Sequence, residues 1–278
     1  MAMSGGPAAP SAIMAERTLG RALDGYVTQT FAVAAAEVQK LIHDPLELFT
    51  RAVQPVLWLM LFGEVMARVR GVAPGNLPYL DYLAAGILAQ SALFVAIFYG
   101  ISAIWERDLG VLQRYLASPA PRSALVLGKA LSAGVRALSQ AIIVYILALL
   151  LGVGIDLNPL SMLGVAVAIV VGSALFSTLS LIIACIVKTR ERFMGIGQVL
   201  TMPIFFASNA IYPLSLMPDW LRAVSHVNPL TYEVDALRSL MLKGGTSDYG
   251  LALDFAILIA TTIVLVAIAA RVYRRMGY

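Results

Sequence analysis

Ser123 to Ala130 reads SALVLGKA, and its Gly128-Lys129 pair is the nearest approach in this chain to a phosphate-cradling loop. Such a loop needs GxxxxGK followed by Ser or Thr, because glycines let backbone amides close on phosphate and the hydroxyl holds magnesium. Here Ser123 replaces the first glycine and Ala130 the hydroxyl, so the chain is not expected to hydrolyse ATP itself. Peptidase chemistry would need a serine and a histidine on neighbouring crossings. The two histidines, His43 and His226, fall outside every apolar run, and no HExxH is present. No carboxylate cluster lies within one run, so an intramembrane metal site is not expected either. The single cysteine, Cys185, sits in an apolar run, where it reads as an inert thiol with no disulfide partner. The sequence assigns no catalytic residue, cofactor or metal to this chain.

Two charges do enter apolar runs. A charged side chain costs about 2.5 to 3.5 kcal/mol at mid-bilayer, so each is a functional candidate. Arg136 lies about two turns beyond Lys129, where it either snorkels to the inner surface or meets a substrate or partner. Glu64 has Arg68 one turn away as an i, i+4 partner. Gly86, Gly172, Tyr99, Phe205 and Phe206 are expected to serve helix packing.

The elements that position these residues follow from composition. Of 278 residues, 60% are apolar and 13% charged, against roughly 25% charged in an average globular chain. At about 20 apolar residues per crossing, six crossings leave no room for a soluble catalytic domain. Six long apolar runs are present: Phe49 to Ala67, Tyr82 to Trp105, Ala124 to Gly154, Leu160 to Val187, Phe193 to Tyr212, and Tyr249 to Val272. Barrel-type alternation is absent, so the predicted fold is an all-α integral membrane protein with six transmembrane helices. The third and fourth runs exceed the minimum and must tilt or project.

With the amino terminus inside, fifteen of the 20 Lys and Arg residues fall on the inner side, and Arg68, Arg70, Arg222, Arg238 and Lys243 on the outer. This positive-inside bias places both termini in the cytoplasm. The first 30 residues lack the apolar core of a cleavable signal. The net charge of +4 is dispersed in small clusters between apolar runs, a bilayer pattern and not one for nucleic acid. One domain is expected: a flexible tail over 1–29, an interfacial helix over 30–48, the six-helix bundle over 49–272 and a tail over 273–278.

Three segments are neither spans nor plain loops. Phe31, Ala35, Val38, Leu41 and Ile42 share one helical face, and Asp44-Pro45 ends that interfacial helix. Trp105 to Pro121 holds Leu109, Leu112 and Leu116 at helical spacing among Glu106, Arg107, Asp108 and Arg114, and reads as a short helix offered to a cytoplasmic partner. The outer stretch Pro213 to Asp248 reads as two amphipathic helices returning into the outer interface. Pro218-Asp219 opens the first, with Trp220, Leu221 and Val224 on one face. Asn228-Pro229 caps the second, which carries a stripe of Leu230, Val234, Leu237 and Met241 and closes at Gly244-Gly245.

These residues resemble the permease subunits of type 2 ABC exporters, in the drug-resistance and nodulation-factor branch typified by daunorubicin-resistance permeases. The likeness covers nearly the whole chain. It rests on the helix with Asp44-Pro45, on Glu106-Arg107-Asp108-x-Gly110-x-Leu112 to Ser118-Pro119, and on the outer segment. There the motifs are Tyr212-Pro213-Leu214-Ser215, Met217-Pro218-x-Trp220-Leu221 and Asn228-Pro229-Leu230-Thr231-Tyr232 followed by Asp235-Ala236-Leu237-Arg238.

The resemblance implies two permease chains and two cytoplasmic ATP-binding subunits, with ATP and magnesium held by the latter. The Glu106 to Ser118 region, Gly110 included, would be the coupling helix, with Glu106, Arg107, Asp108 and Arg114 meeting the ATPase electrostatically and Leu109, Leu112 and Leu116 packing into it. Where many relatives carry glutamate, threonine and glutamate, this chain has Asp108, Val111 and Gln113. Pro213, Pro218, Trp220, Asn228, Pro229, Tyr232, Asp235 and Arg238 would form an outer gate or only a lid, with Asp235 and Arg238 as its ion pair. The implied function is export of a hydrophobic or amphipathic drug, lipid or glycolipid across a prokaryotic inner membrane. A non-transporting membrane scaffold, or a channel, is the alternative. The second permease is expected to be an identical copy.

Overall fold

The computed structural model describes residue 50 and residues 53–69, 77–109, 122–187 and 189–272, with the side chains of 107 and 122–125 excluded. The expected interfacial helix, Asp44-Pro45, both terminal tails and the coupling residues Gly110, Leu112, Arg114 and Leu116 lie outside the described residues.

All regular elements among the described residues are helical. The first is α1, Val53–Ala67, whose Trp58–Gly63 segment winds as a wider π-helix. Then come α2, Tyr79–Tyr99, and α3, Ile101–Asp108, joined at Gly100. The pair α4, Arg122–Leu150, and α5, Pro159–Ile186, follows, and then α6, Arg190–Phe206. Two shorter helices, α7, Asp219–Val227, and α8, Pro229–Met241, precede α9, Leu251–Val272.

Among the described residues, four stretches are long and apolar enough to cross a bilayer: Tyr79–Glu106, Val126–Leu150, Pro159–Ile186 and Leu251–Val272. The expected first and fifth crossings are shorter helices. α6 has 17 residues, about 25 Å at 1.5 Å per residue. The fifth run was expected to continue to Tyr212, but its helix ends at Phe206, and Ala207 to Ile211 form a buried turn. Pro203 near its end and Asn209, which suits turns more than helix interiors, account for the early stop.

α2 is apolar on all sides and correspondingly central, with Leu83, Ile87, Leu88, Leu93 and Ile97 fully buried. α5 is the other hub, packing against α2, α4, α8 and α9. Close approach depends on small residues. A Cβ built on Gly86 would lie 2.1 Å from the Ala210 carbonyl oxygen, so only glycine lets the turn after α6 rest on α2. The starts of α2 and α9 meet the α4–α5 turn and the end of α8 at one end of the bundle. There the Gly154 amide donates to Asp81 at 3.2 Å, and Ile155 bridges Leu242.

Candidate functional site

The ion pairs and charged clusters among the described residues gather at the two ends of the bundle. At the end that the basic-residue bias assigns to the inside, α3 carries the first residues of the expected coupling segment. Lys129, in the first turns of α4, donates to the Glu106 carboxylate at 2.5 Å, with the lysine side chain only 11% exposed. Arg190, at the start of α6, donates to Asp108 at 3.1 Å while its guanidinium lies 3.6 Å over the Trp105 ring. Thr189 caps α6 by accepting from the Arg192 amide, which fixes where Arg190 emerges.

Sequence spacing assigned Glu106 and Asp108 to contact with a partner. The geometry commits both to ion pairs within the chain, 23 and 82 positions away. Leu109 remains 70% exposed at the tip of the described segment, an unspent apolar contact. The structure thus joins the base of the expected coupling segment to two different helices of the bundle. Arg136 lies with its guanidinium 5.4 Å from the Tyr99 ring centroid, at the junction of α2 and α3. Glu64 is exposed near the other end of α1, and no ion pair joins it to Arg68, the residue that ends that helix.

At the opposite end, α7 and α8 form where expected, yet α8 does not lie in an interface. Its stripe of Leu230, Val234, Leu237 and Met241 is fully buried, and so are Glu233 on the same face and Thr231 and Asp235 on its other positions. α8 packs on α2, α5 and α9 as a core helix. Asn228 holds it there. Its side-chain oxygen accepts from the Leu230 amide, and its amide donates to the Ile204 and Ala207 carbonyls at 2.7 and 3.0 Å. The end of α6, which leaves carbonyls without helical partners, is thereby tied to the start of α8.

The turn after α6 is clamped from two sides. The Tyr79 hydroxyl donates to the Ile211 carbonyl at 3.0 Å, while the Tyr82 hydroxyl and Arg238 both donate to Asn209 at 2.8 Å. Arg238 stacks over Tyr82 at 3.7 Å. It does not pair with Asp235, as the sequence led one to expect. Asp235 instead accepts from Ser247 and from the Tyr249 amide, and Ser247 also donates to Asp254. A helical turn turns Asp235 toward the loop before α9, and Arg238 toward α2.

Desolvation, then the neighbouring Asp235 carboxylate, raises the Asp248 carboxyl above its ordinary range, with Arg238 opposing. Tyr232 donates to the His226 carbonyl and the Tyr249 hydroxyl meets His226 Nδ1 at 2.7 Å, closing α7 on α8. Pro213 and Pro218 flank a single 3-10 turn whose carbonyls receive Arg222, and Pro229 starts α8. Trp220 is 70% exposed and plugs nothing within this chain.

Sequence reasoning missed Glu233. It is fully buried, neither carboxyl oxygen has a hydrogen-bond partner among the described residues, and it fills the space left by Gly172 in the middle of α5. The signal was available. Glu233 is three residues after Leu230 and four before Leu237, on the apolar stripe.

With this geometry in hand, comparison with known proteins is informative. The family model described as ABC-2 type transporter matches residues 28–242. The protein named transport permease ycf38 in Cyanophora paradoxa is 29% identical over 225 residues, covering 77% of this chain and 74% of its own. The daunorubicin resistance ABC transporter permease protein DrrB1 of Streptomyces coeruleorubidus is 25% identical over 212 residues, 76% of this chain and 74% of that one. Nodulation protein J of Sinorhizobium fredii is 28% identical over 182 residues, 65% and 66% of the respective chains.

Proposed function

Because the chain belongs to the ABC-2 type transporter family, and hence acts as the transport subunit of a system with a separate ATP-binding partner, we propose that it is the permease of an ATP-driven exporter in a prokaryotic inner membrane, with both termini cytoplasmic. Two copies would pair with two cytoplasmic ATP-binding subunits that carry the ATP and magnesium. The cargo would be hydrophobic or amphipathic, leaving the cytoplasm or the inner leaflet.

The observation that carries this reading is the double tether at the base of the coupling segment. When ATP draws the partner subunits together, the segment that begins at Glu106 moves with them. Glu106 pulls on α4 through Lys129, and Asp108 pulls on α6 through Arg190. An ion pair transmits both tension and compression only while both charges are present. The crossings then rearrange about a path between the two permeases, and α6, tied to α8 through Asn228, carries the movement to the opposite end.

Gentle purification of the tagged chain from its native membrane tests the reading. The expected result is a co-purifying subunit with a phosphate-binding loop and ATP hydrolysis in the complex. A chain that comes alone through several mild detergents would favour the scaffold or the channel.

A further inference from the structure

A cavity of about 340 Å³ lies between α1, α2 and α4, lined by Gln54, Gln90, Ser91, Phe94, Phe98 and Gln140 among others. That volume falls within the range of small-molecule pockets. Gln90 is eleven residues from the start of α2 and Gln140 ten from the end of α4. At 1.5 Å per residue both lie about 15 Å from the same end of the bundle, near the midplane of a roughly 30 Å hydrocarbon core. A glutamine at this depth is costly unless something hydrogen-bonds to it.

Gln90 is 2% exposed, and its amide nitrogen has no acceptor among the described residues. The next residue, Ser91, spends its hydroxyl proton on the Ile87 carbonyl at 2.8 Å, leaving its oxygen as an acceptor. Gln90 and Ser91, adjacent residues in the wall of one cavity, thus bring an unsatisfied donor and an available acceptor, which matches a group that both accepts and donates: a hydroxyl. The described lining residues are all uncharged, which favours a neutral group over an ionised one at this depth. Phe94 and Phe98, one turn apart on α2 with rings 6.0 Å apart, supply an apolar wall beside the amides.

We infer that this cavity is a binding subsite for the uncharged, hydroxyl-bearing headgroup of an amphipathic molecule, with Gln90 and Ser91 reading the hydroxyl and Phe94 and Phe98 receiving the apolar part. The inference rests on the permease reading for its purpose, since it narrows the cargo to neutral polar headgroups, but the binding itself needs neither ATP nor a partner.

The test uses the full chain in phosphatidylcholine nanodiscs with an octyl glucoside bearing a diazirine in its alkyl chain. A matched probe carries an ammonium in place of one sugar hydroxyl. The neutral probe is expected to label the α2 peptide containing Phe94 and Phe98, with competition by unlabelled octyl glucoside. Gln90→Leu should weaken labelling about five- to tenfold, the loss of one buried hydrogen bond, and the ammonium probe should label at least tenfold less. Ser91→Ala, a smaller change, should weaken labelling in the same direction and serves if Gln90→Leu does not fold. Equal labelling in the variants, or by the ammonium probe, would overturn the subsite. Loss of ATP-driven movement with labelling intact would count against the exporter reading and leave the subsite standing.

Discussion

Arg190 and Asp108 meet at 3.1 Å across 82 residues of chain, and the same guanidinium covers Trp105 at 3.6 Å. One side chain of α6 therefore grips both a charge and a ring of α3. Each partner of the ion pair is about a third exposed, so its stability contribution is small, below about 1 kcal/mol. Its value is positional. Arg190→Lys should leave the unfolding midpoint nearly unchanged yet impair coupling, because lysine gives up the planar stack. The ratio of ATP hydrolysed to cargo moved is the measurement.

The Glu106–Lys129 pair is more buried and should behave differently. Lys129→Met strands a half-buried carboxylate and is expected to cost about 1 to 3 kcal/mol. Glu106→Gln with Lys129→Met should recover most of it, in thermal unfolding followed by tryptophan fluorescence. Full stability in Lys129→Met alone would contradict the pairing.

Asn228 makes two hydrogen bonds that join α6 to α8 and a third that caps α8. Asn228→Ala should destabilise by about 2 to 3 kcal/mol. Asn228→Asp keeps the cap acceptor but loses both donations, so it should fall between, measured on the same unfolding curves.

Gly172 and Glu233 are predicted to be coupled. A Cβ on Gly172 would sit 2.2 Å from the Glu233 carboxyl carbon, so Gly172→Ala should force that carboxyl to shift and destabilise the wild type. In a Glu233→Ala background the cost should shrink by about 1 kcal/mol or more. Additive effects would mean the two do not share that space.

Asp248 sets a pH dependence. Its carboxyl is raised by desolvation and by Asp235, so the folded state prefers it neutral. The resulting penalty is present above the raised pKa and disappears as pH falls below the unfolded value. Asp248→Asn should therefore stabilise more at pH 7.5 than at pH 3.5. The midpoint difference between variant and wild type across that range is the test.

Much of this was legible in the sequence because it is local. Asn228-Pro229 announces the start of α8, and the Leu230, Val234, Leu237 and Met241 stripe its apolar face. The placement of α8 was not legible, since the groups that bury it lie at Gly172, Asn209 and Ser247, and no periodicity encodes those meetings. For the same reason Glu106 and Asp108 read as free charges on a partner helix. Their cations, Lys129 and Arg190, are supplied by other helices. The Gln54, Gln90 and Gln140 set is invisible in sequence, because each lies in a different apolar run.

The central claim is that ATP on a partner subunit moves this bundle through the two tethers. Spin labels at Trp220→Cys, an exposed site outside the clamped turn, report the separation of two permease copies in the purified complex by pulsed electron resonance. ATP with magnesium should shift that distance in the wild-type tethers, Asp108→Arg should abolish the shift, and Asp108→Arg with Arg190→Asp should restore it. A distance that ignores ATP while the ATP-binding subunit is present and active, or one that shifts equally in Asp108→Arg, would contradict the account.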